Sequence, residues 1–149
     1  MADLTSNELC NICCKHYCVG LRCCALGTDL TSTHGGWLFA KDGSSAWIVA
    51  PIASEVSRDW YCINHAVTRA EVVTGISGVW FVPSRTELLC GFSNREYWDG
   101  YSLTCYFSSS CQRSIGTCGW GVNMCFGSVG CSLAKLTARC VRAFRQVFY

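Results

Sequence analysis

The stretch THGGWLFAKDGSSAWIVAP, residues 33–51, decides the fold because its pattern predicts a β-hairpin. Residues 38–40 and 47–49 are the aromatic, aliphatic and β-branched runs that are typical of strands. Asp42-Gly43 lies between them and is a dipeptide that accepts the positive φ angles of a hairpin turn. His34 then lies where the first strand begins, on a rigid element that can position a general base or a ligand. An ordinary, partly exposed histidine is the competing interpretation.

Patterns elsewhere in the chain predict an α+β fold. The segment 59–70 has the apolar spacing of a short helix. Short apolar runs predict further strands, at residues 72–74, 79–82, 88–92 and 103–107. Together with the hairpin they predict a small central antiparallel sheet of about five or six strands, preceded by a Cys-rich N-terminal segment and followed by a basic amphipathic helix.

Composition predicts one compact domain with three segments. The chain has 149 residues, of which 50% are hydrophobic and 15% charged, so it can bury a core and is not typical of a disordered protein. The segments are a Cys-rich part at 1–30, an α+β core at 31–112, and an apolar Gly-rich stretch with the basic helix at 113–149. The first eight residues lack the basic and apolar regions of a secretory signal, which predicts a cytosolic protein with reduced thiols.

Charge is distributed unevenly along the chain. Residues 100–149 contain no acidic side chain, and the periodicity of 133–149 predicts a helix with an apolar side and a basic side. Four cations of this segment are candidates for contact with an anionic membrane surface or with RNA: Lys135, Arg139, Arg142 and Arg145. An ordinary surface helix packed on the sheet is the alternative.

The N-terminal segment contains a cluster of cysteines with one histidine among them. Cys10 and Cys13 have the spacing with which two thiolates reach one zinc ion, and His16 and Cys18 are candidates for the remaining ligands. Closure of the site would use Cys23 or Cys24, or ligands from Cys62 or His65. The competing interpretations are a buried helix in which cysteine acts as a small hydrophobic residue, and a patch acylated near a membrane.

His34, the apolar strand after it, Asp42-Gly43, the second apolar strand and Ala50-Pro51 resemble the H-box of the lecithin retinol acyltransferase-like family. The resemblance covers about residues 33–56. That family includes small cellular phospholipase/acyltransferases and the 2A-type proteins of several picornaviruses. It implies a permuted papain-like α+β fold in which the histidine precedes the nucleophilic cysteine in the chain.

The resemblance implies that His34 acts as base and that a later cysteine acts as nucleophile. Cys105 is the first candidate, because an uncharged, glycine-rich stretch follows it as an apolar tail follows the family's cysteine, and Cys125 is the second. An imidazole beside a thiol favours the reactive thiolate. Two departures weaken the catalytic interpretation: Ile48 replaces the family's second histidine, and no Asn-Cys dipeptide occurs.

We therefore expect a viral, cytosolic, membrane-associated and non-catalytic relative of these enzymes, acting through binding of a host protein or RNA. One alternative is an active thiol acyltransferase or phospholipase. Another is a zinc-binding, Cys-rich accessory protein without catalysis.

Overall fold

The computed structural model describes residues 21–22, 24–111, 118–125, 127, 129–135 and 137–149. In chain order, the strands are β1 (Asp29–Leu30), β2 (Gly36–Lys41), β3 (Ser45–Val49), β4 (Val56–Arg58), β5 (Cys105–Cys111), β6 (Cys118–Asn123), β7 (Val129–Ala134), β8 (Arg139–Val141) and β9 (Phe144–Phe148). The α-helices of the described residues are α1 (His65–Thr74) and α2 (Arg85–Ser93). Short 3₁₀ turns occupy Ile52–Ser54, Trp60–Cys62 and Arg95–Tyr97. The mixed α+β class is confirmed.

The hairpin is confirmed, although its turn is built differently from the prediction. β2 and β3 pair antiparallel, with Lys41 opposite Ala46. Positive φ angles occur at other glycines but not at Asp42-Gly43. Instead, the Asp42 carboxylate accepts hydrogen bonds from the backbone N–H groups of Ser44 and Ser45, at 2.8 and 2.7 Å. An aspartate that bonds to the backbone ahead of it closes a turn without left-handed residues.

The strands form two sheets, where the sequence predicted one. The first sheet is antiparallel, with the order β1-β2-β3-β9. The second has the order β4-β8-β5-β6-β7, and β5 runs parallel to β8 with Tyr106 opposite Cys140. Since β8 and β9 enter different sheets, the segment 113–149 contributes to the same core as the segment 31–112.

Two predicted strands are helical. Residues 72–74 complete α1, which begins at His65 and so lies later than the helix expected at 59–70. Residues 88–92 lie inside α2. Helix α2 begins at a capping box in which Ser84 and Glu87 satisfy each other's backbone N–H groups, a local signal that outweighs the short apolar run.

The predicted C-terminal basic amphipathic helix is wrong, because residues 139–141 and 144–148 are strands. β9 pairs with β3 along its whole length, from Phe148 opposite Ser45 to Phe144 opposite Val49. The apolar residues that fit a helical stripe also fit the pairing of aromatic and β-branched side chains in a sheet. Pairing with β3 therefore selected the strand over the helix.

An aromatic core joins the sheets to α2. The ring centroids of Phe39 and Phe144 lie 4.7 Å apart, and those of Trp98 and Phe144 lie 5.6 Å apart. A Cβ atom at Gly91 of α2 would lie 2.7 Å from the Phe144 ring, so only glycine allows this approach of helix and sheet. The core fixes α2 against the β2–β3 hairpin, where a cleft forms.

Candidate functional site

His34 is buried at the start of the hairpin, with 8% of its surface exposed. The hydroxyl of Thr33 lies 2.9 Å from its Nδ1 atom, and Arg145 donates a hydrogen bond of 2.8 Å to its backbone carbonyl. Burial, followed by the positive charge of Arg145, lowers the pKa of His34. The imidazole is therefore held neutral near pH 7.

Cys105, the candidate nucleophile, begins β5 in the second sheet, opposite Asn123 and near the thiol of Cys140. His34 precedes β2 in the first sheet, and within the described residues no hydrogen bond joins the two side chains. Cys125, the second candidate, is exposed after β6. The catalytic pair His34 and Cys105 stays a prediction, and the geometry does not support it.

Three other thiols of the described residues, those of Cys62, Cys90 and Cys140, are held in the protonated form. A hydrogen bond to Asp59 raises the pKa of Cys62, whereas burial is the main cause that raises the pKa values of Cys90 and Cys140. Catalytic cysteines have the opposite shift, because the thiolate is the nucleophile.

The four cations expected to contact phosphate do not form a common surface. Lys135 and Arg142 are 5% and 1% exposed, and both bond to groups inside the domain. Arg139 is half-buried in β8, and Arg145 bonds to the carbonyl of His34. Because the helix that would have aligned them is absent, contact with RNA or a membrane stays a prediction without that support.

A buried polar network around Arg142 was not foreseen from the sequence. Its guanidinium forms ion pairs with Asp99 and, at 3.8 Å, with Glu55. Glu55 also accepts hydrogen bonds from Tyr106 and, at 2.8 Å, from Ser102. Burial, followed by the hydrogen bond to Glu55, raises the pKa of Tyr106. The partners come from distant parts of the chain, so no local pattern could have identified the network.

The predicted zinc ligands Cys10, Cys13, His16 and Cys18 lie outside the described residues, as does Cys23. Cys24, an alternative ligand, is disulfide-bonded, which corrects its expected reduced state and removes it from the ligand set. In the described part of the chain, no group of three or more His, Cys, Asp or Glu side chains is arranged to hold a metal ion. Nor does that part include a helix with the length and apolar character needed to cross a bilayer.

A cleft of about 240 Å³ lies between the β2–β3 hairpin and α2. Phe39, Ala40 and Trp47 supply apolar surface from the hairpin. Thr86 and Cys90 line the side formed by α2. We call these five residues the hairpin cleft. No sequence pattern indicated this cleft, because its two sides meet only when α2 packs on the sheet.

Two carboxylates and Lys41 also line the hairpin cleft, and the Lys41 ammonium donates hydrogen bonds to the backbone carbonyls of Arg22 and Cys24. Asp42 accepts hydrogen bonds from the hairpin turn and, at 3.3 Å, from the indole of Trp47. The backbone bond from Ser44 is the main cause that lowers the pKa of Asp42, so this side chain is anionic near neutral pH. Glu87 is the second carboxylate, oriented by its bond to the backbone of Ser84.

Comparison with known proteins adds no assignment to this geometry. No family model matches the chain. No curated protein matches it significantly either.

Proposed function

We propose that the chain is a non-catalytic binding protein whose hairpin cleft holds an apolar side chain of a partner protein. The proposal retains the H-box resemblance as ancestry and sets aside acyl transfer. It also retains the expected setting, a viral protein in the cytosol close to membranes, with a host protein as partner. That setting depends on the resemblance and on the charge pattern of the sequence.

The observation that carries the proposal is the cleft itself. Binding pockets for small molecules usually enclose about 300–1,000 Å³, so a cleft of about 240 Å³ suits one large side chain better than a whole metabolite. Trp47 is half-exposed on the cleft side of β3, and its ring packs edge-on against Phe81 with centroids 6.2 Å apart. A rigid aromatic surface of this kind is typical of the anchor points of protein interfaces.

The chemistry of the thiols supports binding over catalysis. The pKa of the cleft cysteine, Cys90, is raised by burial, so the group in the cleft is a neutral thiol. His34 lies in the turn before β2, Cys105 begins β5, and no hydrogen bond joins their side chains among the described residues, whereas a base must be within hydrogen-bond reach of the proton it removes. The hairpin cleft therefore offers shape and charge, and its cysteine is not an activated nucleophile.

Asp42 and Glu87 indicate the chemistry of the partner. Both carboxylates are already oriented by bonds to the protein, so they can attract a cation without further ordering. A segment with an aromatic or aliphatic anchor next to lysine or arginine fits this combination. We propose such a segment as the ligand.

Selection of peptides from a displayed random library against the full chain tests the cleft. We expect the selected peptides to share an apolar anchor beside a basic residue. Thr86→Trp, which fills the cleft, should weaken their binding at least about tenfold, because the anchor loses its place. Thr68→Trp, at an exposed position of α1, is the matched control and should leave binding unchanged. Equal binding by both variants would exclude the cleft as the binding site.

The acyltransferase alternative has its own test. Incubation of the full chain with a short-chain phospholipid, followed by intact mass measurement, should show no acyl adduct. An added acyl group that disappears in His34→Ala would overturn the non-catalytic proposal.

A further inference from the structure

Lys135 and Cys111 form a buried pair outside the hairpin cleft. Lys135 follows β7 and is 5% exposed, and Cys111 ends β5 and is half-buried. The Nζ atom of Lys135 lies 2.9 Å from the Sγ atom of Cys111, which is hydrogen-bond distance. A lysine buried to this extent and directed at a sulfur atom needs a physical explanation.

Aromatic rings surround the ammonium group. Its Nζ atom lies 4.1 Å from the ring centre of Trp60 and 5.5 Å from that of Tyr61, both within the range of cation–π attraction. The indole of Trp60 donates a hydrogen bond of 3.0 Å to the carbonyl of Ser108. A Cβ atom at Gly119, the residue opposite Cys111, would lie 2.4 Å from the indole ring. The site is thus built from several elements that fit closely together.

The charge balance of the pair is incomplete without the sulfur. Within the described residues, Lys135 forms no ion pair with a carboxylate, since the ion pairs there are those of Arg142. Burial of an ammonium group without a counter-ion is costly, and the Cys111 sulfur at 2.9 Å can serve as one when it loses its proton. Conversely, the ammonium stabilises negative charge on the sulfur, the condition under which cysteine reacts with electrophiles and oxidants.

We propose that Cys111 is a modification site, a thiolate held by Lys135 that reacts with hydrogen peroxide. The sulfur attacks one peroxide oxygen, so that an S–O bond forms and the O–O bond breaks. The leaving hydroxide takes a proton from the Lys135 ammonium and becomes water. The sulfur is oxidised by two electrons to sulfenic acid while the peroxide is reduced by two.

Other thiols of the chain serve as internal references. Cys90 and Cys125 are more exposed than Cys111, so access alone would make them more reactive. The side-chain contact at the Cys90 sulfur is the uncharged amide of Asn94, at 3.8 Å. No lysine or arginine of the described residues donates a hydrogen bond to the Cys125 sulfur. Preferential reaction at Cys111 would therefore be caused by the nearby ammonium group and not by greater exposure.

The test treats the full chain with limiting hydrogen peroxide in the presence of a sulfenic-acid trap and maps the labelled cysteines by mass spectrometry. We expect Cys111 to be labelled at least about tenfold faster than Cys125. Lys135→Met should remove this preference, whereas Lys135→Arg should preserve it because a cation remains. Equal labelling of Cys111 and Cys125 in the unaltered chain would overturn the proposal, as would an unchanged preference in a folded Lys135→Met variant.

A second measurement keeps the proposal testable if Lys135→Met does not fold. At one fixed pH, an alkylating reagent should modify Cys111 at least about tenfold faster than Cys125 in the unaltered chain, because the adjacent ammonium stabilises negative charge on the attacking sulfur. Equal alkylation rates at the two cysteines would contradict the proposal.

Discussion

Two buried cations in the C-terminal third of the chain have opposite surroundings. Arg142 forms ion pairs with Asp99 and Glu55, and its guanidinium also donates to the backbone carbonyls of Ala50 and Gly100, at 2.7 and 2.5 Å. Lys135 contacts a sulfur atom and aromatic rings. The first cation has fixed carboxylate partners, whereas the second has a partner that can gain or lose a proton.

The difference separates a structural role from a chemical one. The planar guanidinium of Arg142 presents several N–H groups at once and so connects the loop around residue 100 to the end of the hairpin. The ammonium of Lys135 is a compact point charge, and a single sulfur lies at hydrogen-bond distance. Loss of Arg142 would leave the carboxylates of Asp99 and Glu55 without their cation, whereas loss of Lys135 would allow Cys111 to take a proton. Four experiments test or extend this comparison.

Arg142→Met should produce the largest effect. It leaves Asp99 and Glu55 without their cation in a buried network, so we expect the free energy of unfolding to fall by about 3–5 kcal/mol. Urea unfolding followed by tryptophan fluorescence measures the loss. Arg139→Met, three residues earlier and half-buried, is the matched control and should cost clearly less. Equal losses would remove the special role given to Arg142.

Asp99→Asn should have an intermediate effect. The amide oxygen can still accept the hydrogen bond that the carboxylate receives from the backbone of Ile52, at 2.8 Å, but the charge opposite Arg142 is lost. We expect a fall of about 1–3 kcal/mol in the free energy of unfolding, measured as above. Glu96→Gln, at an exposed position, is the control. An unchanged stability would show that Glu55 alone satisfies Arg142.

Lys135→Met should change stability by less than about 1 kcal/mol, because methionine keeps the packing against Trp60 and the sulfur of Cys111 can take a proton and become a neutral thiol. The same urea titration measures it. A loss as large as that of Arg142→Met would break the comparison, since Lys135 would then be structurally fixed as well.

The smallest expected effect concerns a third basic side chain, His34, which is buried in the neutral form. Its pKa in the folded chain lies below the unfolded value of about 6.5, so protonation favours the unfolded chain. Its contribution to stability is complete above about pH 6.5 and decreases as the pH falls below that value.

Thermal unfolding at pH 7.5 and pH 5.5 tests this sign. We expect His34→Gln to reduce the difference between the two melting temperatures. His65→Gln, which alters an exposed histidine, should leave the difference in place. A larger difference in His34→Gln would reverse the sign assigned to His34.

The hairpin was predictable from the sequence because its information is local. Its two apolar runs and the intervening turn lie within residues 36–49, and pairing of neighbouring strands needs no distant partner. The α2 helix also had a local signal, the Ser84 and Glu87 capping box, although its apolar run favoured a strand. The two signals favour different structures, and residues 85–93 form the helix that the capping box favours.

The sequence by itself determined the α+β class and the hairpin that carries His34. Only the tertiary structure decided where the C-terminal cations lie, that residues 144–148 form a strand, and where the hairpin cleft lies. The apolar spacing of residues 144–148 suits either a helix or a strand, and the open edge of β3 selected the strand. That choice removed the basic helix face and buried Arg142 beside Asp99, a partner 43 residues away in the chain. Contacts over such a separation depend on the packing of the whole domain, which no local pattern specifies.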